Sequence, residues 1–240
     1  MILTAHQPVY LPWLGLFHKI MLADKFVFFD AVQYVPRDWN NRNYVKSSTG
    51  PILLTLPVLS KGHRNTVINQ IRINSEVDWR KKHWKTICSC YSRARFFKKY
   101  APVFEHFYYQ EWTYLADLNY EMLLLLFNIL EIKVPVIRAK NYNFIGSKSE
   151  LVLDMCKKLG ASKYIFGRMG QSYACEESFA RNKIELIFQE YKHPIYRQLY
   201  GKFIANMSVL DLLFNEGRNS LNKIMYGNLQ HSRLTGEKDD

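Results

Sequence analysis

The sequence predicts an α/β fold, a mainly parallel sheet with a β-hairpin insertion and a helical segment. Three observations carry that expectation. Short apolar runs of strand type alternate with amphipathic stretches along most of the 240 residues. The chain opens as strand, loop, helix, strand, the unit that builds a parallel sheet. A turn-rich "SSTGP" lies between two strand-like runs.

Ile2 to Ala5 is a short apolar run suited to a buried strand. Pro12 is followed by Trp13, Leu14, Phe17, Ile20 and Met21 at helical spacing, with the proline in the first turn. "FVFFDAVQY" then reads as a second buried strand ending near Asp30. A right-handed crossover makes these strands parallel, so their carboxyl ends share the edge where open α/β sheets bind ligands. "NYVK" and "ILLTLPV" flank the hairpin turn, and "TVINQIRIN" over 66–74 alternates like a half-exposed strand. Helix is expected from Val77, with a break near Pro102, and again from Trp112 to Ile132. "VPVIRAKNY", "SKYIFG" and "KIELIFQEY" read as further strands. "SKSE" predicts a capping box with Ser147 as N-cap and Glu150 reaching back, and Gly160 ends that helix. Ser208 caps a late helix that Gly217 stops. Together these elements describe a Rossmann-like arrangement, expected as one domain over 1–226 with a polar tail over 227–240.

Composition narrows the function classes. The longest apolar run, Met122 to Leu130, is interrupted by Asn128 and is far shorter than a bilayer span, and the first residues lack the pattern of a secretion signal, so a cytoplasmic protein is expected. Cys88, Cys90, Cys156 and Cys175 have neither disulfide-framework nor zinc-knuckle spacing, and no metal site is expected. The net charge of +12 is concentrated early: residues 1–110 hold 16 Lys and Arg against 6 Asp and Glu, the remainder 17 against 15. Arg80 to Lys99 contains eight basic residues and no acid. Such a stretch fits a nucleic acid, a nucleotide-linked substrate, an acidic carrier protein or an anionic surface, or is simply a solvated helix face.

Candidate site residues fall into three groups. His6 at the end of the first strand, with Asp30 and Asp24 as carboxylates, suits a general base oriented by an acid. Gln33, Arg37, Asn40, Asn41, Arg42 and Asn43 combine two guanidinium groups for phosphate with amides for sugar hydroxyls or a base. His193, Tyr196, Arg197, Gln198 and Tyr200 lie after a late strand and either close a pocket opposite His6 or pack an irregular connection. Phosphate-binding P-loop, dinucleotide, zinc-protease and α/β-hydrolase motifs do not occur, which removes sequence support for those chemistries.

The successive motifs "HQPVYLPWLGLFHKI", "ADKFVFFDAVQYVPRDWNNRN", "YIFG" and "YKHPIYRQ" with "FIANMSVLDLLFNEG" resemble those of the WbqC-like family, in order from about residue 2 to 217. The family is associated with gene clusters for O-antigen and other surface polysaccharides. The resemblance places the family pattern on Gln7, Tyr10 and Lys19, among others, beside the residues named above. One departure is Phe166-Gly167, where the family carries Ser-Gly. The opening is also similar to HIGH-type nucleotidyltransferases, but their histidine pair is absent from Pro12 to Leu16, against adenylyl or cytidylyl transfer. The resemblance implies a setting in surface-polysaccharide synthesis. That setting, joined to the His6, carboxylate and Arg/Asn groups, leads to the expectation of a transferase that modifies a nucleotide-linked sugar, or its amino group, by acyl or aminoacyl transfer. His6 would be the base, Asp30 or Asp24 would orient it, and Arg37 and Arg42 would hold the diphosphate. An acyl-carrier or coenzyme A thioester is the expected donor, with Arg80 to Lys99 docking an acidic carrier. A non-catalytic module for such a partner is the alternative, and single-strand nucleic-acid binding a third.

Overall fold

A computed structural model describes residues 1–59 and 66–236. Its central sheet has five strands, β1 (Ile2–His6), β2 (Lys25–Phe28), β5 (Val136–Arg138), β6 (Lys163–Phe166) and β7 (Glu185–Phe188), in the order β5-β2-β1-β6-β7. Every neighbouring pair is parallel. The chain winds outward from β1 first to one side and then to the other, so the topological switch point lies between β1 and β6, beyond their carboxyl ends.

Helices cover both faces. Phe26 and Phe28 pack into the larger core with α1 (Leu14–Met21), α2 (Trp79–Tyr91), α3 (Phe97–Tyr109), α4 (Leu115–Leu130), α7 (Val209–Glu216) and α8 (Ser220–Met225). Leu3, Ala5, Val27 and Phe166 meet α5 (Lys148–Leu159) and α6 (Glu176–Arg181) on the opposite face. The two-residue alternation along β1 and β2 sorts these side chains between the layers. The hairpin, β3 (Arg42–Ser47) with β4 (Gly50–Thr55), is a separate two-stranded sheet.

Several local expectations change. Pro102 lies inside α3 and does not break it; its ring is on the exposed side, where the carbonyl left without a donor can be hydrated. The interruption falls at 92–96, where the Phe96 amide is drawn to the Phe214 carbonyl at 2.9 Å. Residues 66–74 form a 3-10 turn, Ile68–Gln70, and isolated bridges from Val67 to Gln33 and Ile73 to Val58 instead of a strand. Ser147 occupies the N-cap of α5, but no side-chain bond caps the helix, so the capping box is not made. Gly160 closes α5 at φ 70°, and the Ser208 hydroxyl accepts from the Leu210 amide at 3.2 Å. Within the expected tail, α9 (His231–Thr235) returns to the sheet, His231 Nε2 lying 2.8 Å from Asp24 and Leu234 packing beside Ile2 and Ile165.

Candidate functional site

The β1–α1 connection, residues 7–13, passes over the carboxyl edge. Its two prolines cannot donate, and Leu11 takes a left-handed φ of 47°, so the loop depends on donors from elsewhere. They come from Asn40 in the following loop and Asn43 in β3. Asn40 Nδ2 donates to the Pro8 carbonyl at 2.7 Å, and Asn43 Nδ2 donates to the Tyr10 and Leu11 carbonyls at 3.3 and 2.6 Å. Asn41 Nδ2 donates to Leu56 O at 2.8 Å. Tyr10 is fully buried, its hydroxyl between His83 Nδ1 and Tyr108 Oη at 2.8 and 2.6 Å. Asn41, Asn43 and Tyr10, expected to touch substrate, are therefore scaffold. Gly15, in the first turn of α1, lets Tyr191 pack closely, since a Cβ there would sit 3.0 Å from the Tyr191 ring and 3.3 Å from Trp13 Nε1.

His6 stands at the end of β1 with its ring edge against Trp13, centroids 5.3 Å apart. Its Nδ1 lies 2.8 Å from the Gln7 carbonyl. A carbonyl only accepts, so Nδ1 carries the proton and Nε2 keeps its lone pair. Burial, and next the charge of Lys19, push the His6 pKa down to about 3 against the pull of the Gln7 bond. The imidazole is neutral at pH 7. Lys19 reaches back from α1, and Nζ donates to the Ala5 carbonyl at 2.9 Å. It is 4% exposed and has no ion pair among the described residues. Burial alone lowers its pKa to about 7. An ammonium has three donors, and among the described residues one is used.

Asp30 shares this edge but does not serve His6. Its Oδ2 accepts from Arg138 Nε at 2.8 Å, with Nη2 at 2.7 Å, and its Oδ1 accepts from the Lys140 amide at 2.9 Å. Arg138 also binds Asp117 at 2.6 Å and lies over the Tyr120 ring at 4.8 Å. Asp30 thus clamps the ends of β2 and β5 together. Beyond it is an open hollow of about 470 Å³ lined by Tyr120, Arg138, Asn141 and Tyr142. Asp24 lies at the other edge, accepting from the Ile2 amide at 2.7 Å, so the length of β1 separates it from His6. Neither carboxylate orients His6.

Tyr196, Gln198 and His193 of the late group are also structural, while Arg197 is exposed. Asp211, 1% exposed, accepts from Tyr196 Oη and Gln198 Nε2, both at 2.8 Å, while Gln198 Oε1 accepts from Lys46 Nζ at 2.9 Å. Burial raises the Asp211 pKa, opposed by these bonds. His193 Nδ1 donates to Pro194 O and Nε2 accepts from the Asn206 amide. These bonds bind residues 193–206 to α7 and β3. Three residues of the original groups face solvent or partners less completely. Gln33 and Arg37 are exposed, Arg37 at φ 67°, and Arg42 rests over Trp39 at 5.9 Å with Nε buried and unbonded. The Gln7 side chain has no hydrogen-bond partner among the described residues. No cluster of three His, Cys, Asp or Glu able to hold a metal occurs among them.

The geometry therefore unites His6 and Gln7 with Lys19, a residue that reasoning from the sequence left outside the site. The available signal was a lysine inside an eight-residue helix whose other buried positions, His18 apart, are apolar or glycine.

Comparison with known proteins agrees with the motifs. The chain belongs to the WbqC-like protein family, whose pattern matches residues 7–223. It is 33% identical over 222 residues to an uncharacterised protein of Mycobacterium tuberculosis, covering 92% of this chain and 96% of that one. No solved structure matches the chain.

Proposed function

We propose that the chain modifies a nucleotide-linked amino sugar in surface-polysaccharide synthesis, such as that of O-antigen, by acyl or aminoacyl transfer at the end of β1. The observation that carries this reading is Lys19, a buried amine that protonates near pH 7 and has no carboxylate partner among the described residues, next to a neutral His6 with a free Nε2 lone pair, at the switch point of a parallel sheet. A site with an unmatched buried cation favours an anion, and the diphosphate of a nucleotide sugar supplies one. Arg37, on the loop that packs over residues 8–11, and Arg42, the first residue of β3, would extend that hold. The family setting supplies the amino sugar.

In this reading the neutral sugar amine attacks the carbonyl carbon of a thioester. The N–C bond forms, His6 Nε2 takes the amine proton, the C–S bond breaks, and the proton passes to the departing thiolate. Lys19 holds the diphosphate and Gln7 offers an amide to a sugar hydroxyl. Asp30 and Asp24 have no part in the step.

A thermal-shift and titration series with UDP-, GDP- and dTDP-amino sugars tests the binding, followed by a transfer assay with coenzyme A and carrier thioesters. One nucleotide class is expected to bind, to lose affinity in Lys19→Met, and to retain it in His6→Ala while transfer is lost. Transfer that persists in a folded His6→Ala protein would refute the mechanism.

A further inference from the structure

We propose that the outer face of α2 and the start of α3 is a docking surface for an acidic protein, which on the reading above is the carrier that brings the acyl group as its thioester. Lys81, Lys82, Lys85, Arg93 and Lys98 are exposed there, and none forms an ion pair among the described residues. Two further cations are held against rings, Arg95 over Phe96 at 5.2 Å and Lys99 over Tyr100 at 5.0 Å. Such pairing limits the motion of long side chains and leaves less entropy to lose on association. Arg218 extends the patch, because Gly217 brings its turn against the Phe96 ring so closely that a Cβ would lie 2.7 Å from it.

The rings of this segment decide which polyanion fits. Trp84, Tyr91, Phe97 and Tyr100 are 8%, 0%, 9% and 6% exposed. A single nucleic-acid strand draws much of its affinity from stacking on exposed rings, and a membrane-bound face from apolar insertion. Phe96 is partly exposed but lies under Arg95, so this face offers little of either. It presents cations alone, which is what an acidic protein surface complements in a transient, charge-steered complex.

Its position suits delivery to the site. The inner side of α2 carries His83, bonded to Tyr10 of the loop that follows His6. A carrier on the outer side is separated from that loop by roughly one helix diameter, about 10 Å.

The test uses the full chain and fluorescently labelled holo-acyl carrier protein, measured by anisotropy at low and high salt without nucleotide sugar. The comparison is the triple reversal Lys81→Glu, Lys85→Glu, Lys99→Glu, with the neutral Gln triple as a second variant and melting temperatures as the check on folding. Binding is expected to weaken at least about tenfold in the reversal, less in the Gln variant, and steeply with salt. Equal binding by wild type and reversal, no binding by either, or tighter binding to phosphatidylglycerol vesicles or a short DNA duplex would overturn the proposal. The two readings separate cleanly. Carrier docking with transfer intact in His6→Ala removes the chemistry and leaves the surface, whereas His6-dependent transfer from coenzyme A without carrier docking does the reverse.

Discussion

Lys19→Met gives the most discriminating single measurement, because burial of the lysine makes folding depend on pH in a defined window. The ammonium has a pKa of about 7 in the folded chain against an ordinary 10.5. Between those values the unfolded state binds the proton and the folded state does not, so stability rises with pH, by about 1.4 kcal/mol per pH unit for one proton. Above the ordinary value no penalty remains, and below about 7 the full penalty is present. From pH 7 to 9 the wild type should gain up to about 3 kcal/mol from this group. Methionine has a similar length and no charge, so the variant should lack that slope, although the Ala5 carbonyl loses its donor at a cost of about 1–3 kcal/mol. Urea unfolding midpoints at pH 7, 8 and 9 measure both curves. Parallel curves would show that the lysine is not held as a buried, unmatched cation, and the anion site would lose its foundation.

Other perturbations separate scaffold from site. Acid should destabilise through His6, since a pKa lowered to about 3 means stability is lost as pH falls from 6.5 toward that value, and His6→Gln should flatten this part of a denaturation series. Asp30→Asn leaves Arg138 without its buried carboxylate and should cost about 3–5 kcal/mol in urea unfolding, with nucleotide-sugar affinity changed little in the protein that remains folded. Tyr196→Phe removes one donor from Asp211 and should lower stability by about 1–3 kcal/mol while transfer continues. Gly15→Ala should displace Tyr191, from which its Cβ would be 3.0 Å, and lower the melting temperature in a thermal unfolding series.

Much of the frame was legible because it follows from local chemistry. β1, β2 and β6 are apolar runs buried on both faces, Gly160 and Gly217 sit at positive φ, and Ser208 caps its helix. His6 could be placed at the ligand edge from the crossover rule alone. The site's interior was harder, because sequence gives donors without their acceptors. Three asparagines in four residues fit a sugar or a set of turned-in carbonyls equally well, and here two prolines and a left-handed Leu11 create those carbonyls. Asp30 meets Arg138, 108 positions away, through a strand pairing that no local pattern specifies. Lys19 entered only through the family pattern and without a role, because its acceptor, the Ala5 carbonyl, belongs to the preceding strand.

The coupling between Lys19 and His6 also shapes how a base with so low a pKa could act. Two causes depress it, burial first and the lysine's charge second. A bound diphosphate would match that charge and so remove the second cause, and it would add an attraction that favours protonated imidazole. The same anion would raise the Lys19 pKa and keep it charged. His6 would then be a stronger base with ligand than without it, while the fold keeps Nδ1 protonated through Gln7 and reserves Nε2 for the incoming proton. Nuclear magnetic resonance of the His6 ring with and without nucleotide sugar tests this directly. Its pKa should rise on binding in the wild type, and an unchanged or lower value would place the anion away from Lys19.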